Sequence, residues 1–378
     1  MNILIIPHVP HTVCNIPGRS NFFIENLKKN NEIHVLSWDM PYPLTFNRIR
    51  NFSSIIKNYT TSIEDNIFVH HVGRTFILPP LNRGVVNAQI RDIIDKNSID
   101  VIFSESFIWD LVPPFDEVPV IYDLVDDHVD SYKNVPLMMR FMSKFLRIED
   151  SIGEQIEKAD HTVFVSSVLR DKYKNLSKEA SVLPNGVEIN KFRMAKPDRF
   201  IDKFNLDNYD YVLGYVSYFG EWSNLYETVS NLIPFLEEKN SVIIIAGVGP
   251  EVDKLRKIGS DRVILTGMVE HQHIPSLMKT FDVGLLPFRK YPFTDAASPI
   301  KYFEYSAAGL KVVSSPLEEV RRIEFGNTVF FDDIKDIRNA VEMAIEIDCD
   351  KSALMRSVKL YDWSRLSNSL ENILKTKL

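Results

Sequence analysis

The stretch SPIKYFEYSAAG, residues 298–309, carries two charged residues whose types and spacing suit phosphate and sugar chemistry. Lys301 and Glu304 are three positions apart, so on a helix they share one face. A lysine near the positive end of a helix can join the free backbone N–H groups there in binding a diphosphate. A carboxylate one turn deeper can accept hydrogen bonds from the hydroxyls of a ribose. An ordinary lysine–glutamate pair on a solvated helix face is the alternative interpretation.

The residues around this pair predict the helix that would position it. Ser298 is a favoured N-cap, Pro299 suits the first helical position, and Gly309 is a favoured terminator. The preceding loop, LLPFRKYPFTDAASP, adds Arg289 and Lys290. We expect these two cations to converge with the helix lysine and the start of the helix on one diphosphate. Together with the ribose-binding carboxylate, this arrangement predicts a nucleotide-sugar site.

A second cluster, YDLVDDHVD at residues 122–130, places carboxylates directly after a hydrophobic strand. Ligands of open parallel sheets bind beyond the carboxyl ends of the strands, so Asp126, Asp127 and His128 are expected at such a site. Two functional interpretations compete, a general base and a divalent-metal site. The third interpretation is structural, because aspartate is a favoured residue at the start of a helix.

Several other classes of site lack their signals in this sequence. It contains neither a G-x-G-x-x-G fingerprint nor a Walker A loop, which removes the main indications of dinucleotide oxidoreduction and P-loop hydrolysis. The pair His8 and His11 and the pair His271 and His273 have no further ligands at a diagnostic spacing, so no metal site is predicted there.

Charge and cysteine content narrow the setting of the protein. A net charge of −7 at pH 7 argues against a nucleic-acid groove. Cys14 and Cys349 are too few for a disulfide framework, which favours a reducing compartment. The N-terminus, MNILIIPHVPH, has no basic leader, and its apolar run is too short for a signal peptide.

Contact with a membrane is predicted only at the surface, if at all. No run approaches the about 18 consecutive apolar residues of a transmembrane helix, so a cytoplasmic protein is expected. The stretch RFMSKFLRIE, residues 140–149, interleaves basic with large apolar residues. It suits a core-facing helix, and a peripheral position at the inner face of the membrane stays open.

Apolar, β-branched runs alternate with helical patterns along the whole chain. This alternation predicts an α/β fold with parallel sheets and crossover helices. A polar, aperiodic stretch precedes a new buried strand at Tyr211 and indicates a linker. We therefore expect two Rossmann-like parallel-sheet domains, residues 1–190 and 191–361, facing each other across a cleft. The amphipathic segment 362–378 is expected to be a helix that could pack back against either domain.

The second domain contains, in this order, the segments NGVEINKF, GYVSYFGEW, IIIAGVGP, VILTGMVEHQHIPSLMKTFDVGLLPF and SPIKYFEYSAAGLKVVSS. This order resembles that of the group 1 (family 4-like) glycosyltransferases of the GT-B fold. In the first domain, GRSNFFIENL and VIYDLVDDH…EKADHTVFVSS resemble, more loosely, bacterial cell-surface polysaccharide transferases. These are the teichuronic acid type and the xanthan glucuronosyltransferase type. The resemblance implies an acceptor-side first domain and a nucleotide-sugar-binding second domain.

The resemblance also assigns roles to single residues. It implies that Glu304 binds the ribose, Lys301 and the helix start the diphosphate, and the backbone around Met268 the base. The implied donor-binding residues are Tyr218, Gly267, Met268, Arg289, Ser298, Pro299, Lys301 and Glu304.

On the acceptor side, Asp126 lies where the xanthan-type enzymes place their catalytic base, and Asp127 is the alternative candidate for that base. Arg19 and His128 are expected on the acceptor or phosphate side. Two positions depart from the family pattern. Ala296 stands where the first glutamate of the E-x(7)-E motif would be, and VSYFGEWSN lacks the basic residues that many members carry.

These features predict a glycosyltransferase that moves a sugar, with inversion, from a UDP-sugar or a similar donor to a lipid-linked or growing surface glycan. No cofactor and no essential metal are expected, because fixed donors and cations can stabilise the departing diphosphate. A nucleotide-sugar epimerase or hydrolase on the same architecture is one alternative. A nucleotide-sugar-binding protein without turnover is the other, and the acidic pair Asp126 and Asp127 counts against it.

Overall fold

The computed structural model describes residues 1–8, 17–37, 59–72, 79–106, 117–132, 144 and 148–378. The chain divides into two compact units, Met1–Pro184 with Trp363–Leu378 (unit 1) and Asn185–Asp362 (unit 2). Unit 2 begins earlier than the sequence suggests, because Asn185 is already bonded to a residue of that unit. Its backbone N–H donates to Ser298 Oγ at 3.1 Å.

Unit 1 is built on a mostly parallel sheet. Its strands are β1 Asn2–Ile6, β2 Glu32–Ser37, β3 Thr60–Glu64, β4 Ile67–His71, β5 Val101–Ser104, β6 Val120–Leu124, β7 His161–Phe164 and β8 Ala180–Val182. They are arranged in the order β3-β4-β2-β1-β5-β6-β7-β8, with β3 antiparallel to β4 and the other described pairs parallel. The residues of β6 are buried along its whole length. This is why the sequence shows continuous apolar runs instead of alternation.

Helices cover this sheet. They are α1 Arg19–Leu27, α2 Pro79–Asn97, α3 His128–Ser131, α4 Ile148–Lys158 and α5 Ser167–Tyr173. The amphipathic C-terminal helix, Trp363–Lys375, also belongs to unit 1. Its Trp363 ring stacks on Phe22 of α1 with centroids 4.7 Å apart.

Unit 2 has a fully parallel sheet among its described strands. They are β9 Val212–Val216, β10 Val242–Ala246, β11 Val263–Gly267, β12 Val283–Leu286, β13 Lys311–Ser314 and β14 Thr328–Phe330. The order β11-β10-β9-β12-β13-β14 is that of a Rossmann domain, and it reverses between β9 and β12. Both units therefore confirm the predicted parallel-sheet α/β fold.

The helices of unit 2 connect and cover these strands. They are α6 Ile189–Met194, α7 Asp198–Phe204, α8 Leu225–Glu238, α9 Val252–Arg256, α10 Ile274–Met278, α11 Pro292–Asp295, α12 Ile300–Ala308, α13 Glu318–Ile323, α14 Ile337–Glu346 and α15 Lys351–Val358. In unit 1 a 3-10 turn occupies Lys174–Leu176, and in unit 2 such turns occupy Leu206–Asn208, Glu221–Ser223, His271–His273, Ile334–Asp336 and Lys359–Tyr361. Within the described part of the chain, no helix has the length and hydropathy that crossing a bilayer requires.

Helix α12 is fixed against the sheet by Tyr305. The Val216 N–H, at the carboxyl end of β9, donates to the Tyr305 hydroxyl at 3.1 Å. The ring covers Gly284 of β12, where a Cβ atom would lie only 2.6 Å from Tyr305 Cγ. Gly309 ends the helix with a φ of 81°, which confirms the predicted terminator. This packing sets the rotation of α12, and with it the direction of the charged face.

Candidate active site

The Lys301 and Glu304 pair lies on the first turns of α12, as predicted. Lys301 Nζ is 2.5 Å from Glu304 Oε2, and the two side chains are 22% and 8% exposed. The solvated-face interpretation does not fit, because the carboxylate is almost fully removed from water. Burial of a charged pair is costly unless other groups compensate it, so this placement needs a reason beyond helix stability.

Other titratable groups surround this pair. His271, on the 3-10 turn after β11, lies within electrostatic range of both members of the pair, and also of Glu188 and Lys191 near α6. Burial lowers the pKa of His271, and the Glu304 carboxylate opposes that shift. The site therefore combines cations, carboxylates and an imidazole contributed by α6, α12 and the β11 loop.

The start of α12 differs from the sequence expectation. Pro299 is the N-cap, with φ −68° and ψ 111°, and Ser298 makes no cap. The Ser298 hydroxyl instead accepts the Asn185 N–H, and the Ser298 carbonyl accepts from Asn185 Nδ2 at 2.8 Å. The prediction that Ser298 is the N-cap and Pro299 the first helical residue is thus wrong, because a segment distant in sequence uses the serine.

Arg289 follows β12, beside the point between β9 and β12 at which the strand order reverses and at which such sheets bind ligands. Its N–H donates to Trp222 O at 2.8 Å. Its guanidinium donates to Glu227 Oε1 at 2.9 Å and to Glu221 O at 3.1 Å. These contacts make Arg289 a tie between the loops that follow β9 and β12.

The expected cluster of three cations is not what the contacts show. Lys290 is paired with Asp295 at 2.7 Å, whereas Arg289 and Lys301 are bonded to Glu227 and Glu304. Each cation thus has a different carboxylate, and of the three only Lys301 is on α12.

Two exposed apolar side chains follow β9 and β11. Tyr218 is 56% exposed and Met268 is 57% exposed. Gly267, just before Met268, has a φ of 70°, and its carbonyl accepts the Gly247 N–H at 2.9 Å. An exposed phenol ring and a thioether offer polarizable surface to a flat ligand such as a nucleobase.

In unit 1, Asp126 lies two residues after the end of β6. Its Oδ1 accepts the Asp127 N–H at 2.8 Å. Burial raises the pKa of Asp126 to about 6, with a smaller contribution from the Asp127 charge. A carboxylate with a pKa near neutrality is suited to accept a proton from a hydroxyl group.

Asp127 has the structural role that the sequence offered as an alternative. It is the N-cap of α3, and its Oδ1 accepts the Asp130 N–H at 3.2 Å. Its Oδ2 is paired with Lys172 Nζ at 2.7 Å, and the side chain is buried. Burial raises its pKa, and the Lys172 ammonium opposes that shift. The structure therefore separates the two neighbouring aspartates, since only Asp127 is both cap and ion-pair partner.

Arg19 is buried and bonded within unit 1. Its Nε contacts Asp123 Oδ2 at 2.7 Å, and its Nη1 and Nη2 donate to Pro184 O at 2.8 Å and Leu183 O at 2.6 Å. This arrangement ties α1 to β6 and to the segment after β8. The contacts point to an anchoring role rather than the phosphate contact expected from the sequence.

Glu105 and Asp123 are buried carboxylates that the sequence patterns did not single out. Glu105 follows β5 and accepts the His8 N–H at 3.1 Å. Burial raises its pKa to about 7, and the Asp123 carboxylate adds to the shift. The signal was the same in both cases, a carboxylate at the carboxyl end of a buried strand.

His128 stacks on His8, with ring centroids 4.9 Å apart. Burial lowers the pKa of both rings, that of His8 to about 4. Both are therefore neutral at physiological pH. Across the described ranges, no group of three or more His, Cys, Asp or Glu side chains is arranged to hold a metal ion.

Three features of the sequence analysis lie outside the described residues. They are His11, Cys14 and most of the stretch 140–149.

Comparison with known proteins identifies the second domain. Residues 210–346 match the family model described as glycosyl transferases group 1. TuaH of Bacillus subtilis (strain 168), provisionally named a teichuronic acid biosynthesis glycosyltransferase, is 34% identical over 62 residues. That match spans 16% of this chain and 16% of the relative's length.

Solved structures are similar over nearly the whole chain. Sucrose-phosphate synthase from Thermosynechococcus elongatus has a TM-score of 0.73 at 14% identity, covering 99% of this chain and 98% of that one. Anabaena Alr3699/HepE in complex with UDP has a TM-score of 0.70 at 15% identity, and each chain is covered fully (100%). The E. coli trehalose-6-phosphate structure bound with UDP-2-fluoro glucose has a TM-score of 0.70 at 11% identity, again with 100% of both chains covered. Residues 210–346 are thus a group 1 glycosyltransferase domain, in a chain that has the GT-B fold.

Proposed function

We propose that this chain is a glycosyltransferase that moves a sugar from a UDP-sugar to a hydroxyl of a lipid-linked or growing surface glycan. The observation that carries the proposal is the Lys301 and Glu304 pair on α12, with its buried carboxylate, inside the matched domain. The UDP and UDP-2-fluoro glucose bound to the two solved relatives support the choice of donor. The name of TuaH supports an acceptor used in cell-envelope polysaccharide biosynthesis.

In this proposal, unit 2 binds the donor. Glu304 accepts hydrogen bonds from the ribose hydroxyls, and Lys301 turns from Glu304 to the diphosphate, as a charge-assisted donor. The N–H groups at the start of α12 add to that attraction. Met268, Gly267 and Tyr218 are assigned to the nucleobase end. Arg289 keeps the loops after β9 and β12 together.

Unit 1 supplies the acceptor side and the base. The acceptor oxygen attacks the anomeric carbon of the donor sugar while the bond from that carbon to the diphosphate oxygen breaks. The bonding electron pair leaves with UDP, and the hydroxyl proton goes to Asp126. With a pKa of about 6, Asp126 is mostly ionised at neutral pH and can accept that proton. Direct displacement inverts the anomeric configuration, and the buried Ala296 supplies no carboxylate for a different course.

The charge that develops on UDP is assigned to Lys301 and the start of α12 instead of a bound metal. Turnover should therefore be unchanged when a chelator is added, and a rate restored only by a divalent cation would overturn this assignment. A cytoplasmic location, peripheral at the inner face of the membrane, fits the proposed lipid-linked acceptor.

Donor binding tests the proposal. We expect UDP and UDP-sugars to raise the melting temperature, since a ligand present at about 100 times its Kd adds about 2.7 kcal/mol to the stability of the folded state. Glu304→Ala should remove most of this shift. Glu237→Ala, an exposed glutamate on α8, is the matched control and should keep it. A folded Glu304→Ala variant that binds UDP as tightly as the parent would refute the ribose assignment.

A further inference from the structure

Lys172 lies next to the proposed base without touching it. It is on α5, and its Nζ is 2.7 Å from Asp127 Oδ2 and 2.7 Å from Asp130 Oδ2. The ammonium group also lies 5.1 Å from the centroid of the Tyr173 ring. Although burial lowers its pKa, the hydrogen bonds to the two aspartates raise it above the ordinary value. One cation thus joins two carboxylates of the segment that follows Asp126.

These bonds reach Asp126 through Asp127. The side chain of Asp127 is held by Lys172 and by the Asp130 N–H, while its own N–H donates to Asp126 Oδ1. The chain of bonds from Asp126 through Asp127 thus ends on a helix 45 positions further along the chain.

We propose that Lys172 is a positioning residue for the transfer, which holds Asp126 in place and balances the negative charge beside it. The inference rests on the proposed function, because Asp126 matters only as the base of that reaction. Lys172 does not contact the reacting atoms in this scheme and acts through Asp127.

The charge balance can be counted from the contacts. Lys172, Asp127 and Asp130 sum to one net negative charge, and removing the lysine leaves two. Among the described residues near α3, the histidines and Tyr173 add little charge, and Glu105, which accepts the His8 N–H and has a pKa of about 7, is common to all the variants. His8 and His128 are neutral at physiological pH because burial lowers the pKa of both rings, and burial raises the pKa of Tyr173 to about 12.

On β6, Asp123 is paired with Arg19. Among the residues that the structure describes, Lys172 is therefore the cation whose loss changes the charge next to Asp127 most directly.

The pH dependence of turnover distinguishes this role from simple support of the fold. Loss of the nearby Lys172 ammonium should raise the pKa of Asp126 by about one unit, because a nearby cation favours the ionised form of a carboxyl. A shift from about 6 to about 7 lowers the ionised fraction at pH 6 about fivefold and leaves it unchanged at pH 8.5. We therefore expect Lys172→Met to lose about fivefold in rate at pH 6 and little at pH 8.5.

Three further variants control for the charge and for the bond. Lys172→Arg keeps the cation and should follow the parent. Lys172→Met with Asp127→Asn restores one net negative charge at these three positions, and it should bring the acidic side of the rate–pH profile back toward that of the parent. Asp130→Asn leaves no net charge at the three positions and keeps the Lys172 to Asp127 pair. The acidic side of its rate–pH profile should therefore move to lower pH. This opposite shift keeps the test valid should Lys172→Met not fold.

The rate is measured as UDP released from UDP-glucose and UDP-glucuronic acid in the presence of lipid-linked glycans, which accept the transferred sugar. A second readout needs no substrate, namely the difference in melting temperature between each variant and the same variant carrying Asp126→Asn. That difference develops over the pH range in which Asp126 ionises. The upper end of this pH range should rise by about one pH unit in Lys172→Met and fall in Asp130→Asn.

The inference is overturned if Lys172→Met loses the same factor at every pH, or if the melting difference keeps the parent's pH range in both charge variants. Failure of the proposed function has another signature. Asp126→Asn would then turn over like the parent, whatever residue occupies position 172.

Discussion

Asp126→Asn should make the protein more stable at neutral pH while it slows the reaction. Burial raises the pKa of Asp126 from 3.8 to about 6, so the folded state binds this proton more tightly than the unfolded chain does. The ionised carboxylate therefore costs stability, from no cost below pH 3.8 to the full cost above about pH 6. A shift of about two units corresponds to about 3 kcal/mol.

Asparagine removes this cost and keeps most contacts. Its Oδ1 can still accept the Asp127 N–H, so the hydrogen bond recorded at 2.8 Å survives. We expect a gain of about 2 to 3 kcal/mol at pH 7.5, because Asp126 retains some contact with water. For a unit of this size, that gain corresponds to a rise of roughly 5 to 10 °C in the melting temperature.

Thermal unfolding followed by circular dichroism between pH 4 and pH 8 measures the effect. The advantage of Asp126→Asn should be absent near pH 4 and complete near pH 7.5. Asp253→Asn, at an exposed carboxylate on α9, is the control and should differ little from the parent at any pH. A variant less stable than the parent at pH 7.5, or a difference that does not vary with pH, would refute the reasoning.

Three further results are expected. Lys301→Met should weaken the binding of UDP at least about tenfold in calorimetry and leave the binding of uridine nearly unchanged, because the partner of Lys301 is the phosphate charge. Equal losses of affinity for the two ligands would indicate a role in the fold. Gly284→Ala should lower the melting temperature and UDP affinity together, since its Cβ would lie 2.6 Å from the Tyr305 ring that holds α12; unchanged values would show that the ring yields freely. Burial lowers the pKa of His70 to about 4, so the unfolded chain takes up this proton first as the pH falls from 6.5. The free energy of unfolding should then drop by up to about 3 kcal/mol between pH 6.5 and 4, and His70→Asn should flatten this dependence.

The sheets were predictable because their signal is local. Runs such as ILII and VIIIA are apolar on both faces of a buried parallel strand, so each run locates a strand without knowledge of its neighbours. The carboxyl ends of these strands then indicated where functional side chains should be sought. The signal for the helix terminator Gly309 was equally local, since its φ of 81° suits glycine.

The details of the site depend on contacts between distant segments. Ser298 has the residue type of a helix cap, but Asn185, 113 positions away, uses its hydroxyl. Asp126 and Asp127 are adjacent carboxylates in the sequence, and the bonds of Asp127 to the Asp130 N–H and to Lys172 separate the capping aspartate from the candidate base. The anchoring of Arg19 by Asp123 likewise joins residues 104 positions apart. Local patterns contain no information on such pairs.

Transfer of a sugar from a UDP-sugar, with Asp126 as the base, can be measured on the complete reaction. UDP-sugars are incubated with lipid-linked glycans, and both the rate of UDP release and the anomeric configuration of the product are determined for the parent and Asp126→Asn. We expect an inverted product from the parent, and a rate about 10²- to 10⁴-fold lower in the variant with UDP affinity unchanged. A product that keeps the donor's configuration, or a variant that turns over as fast as the parent, would contradict the account.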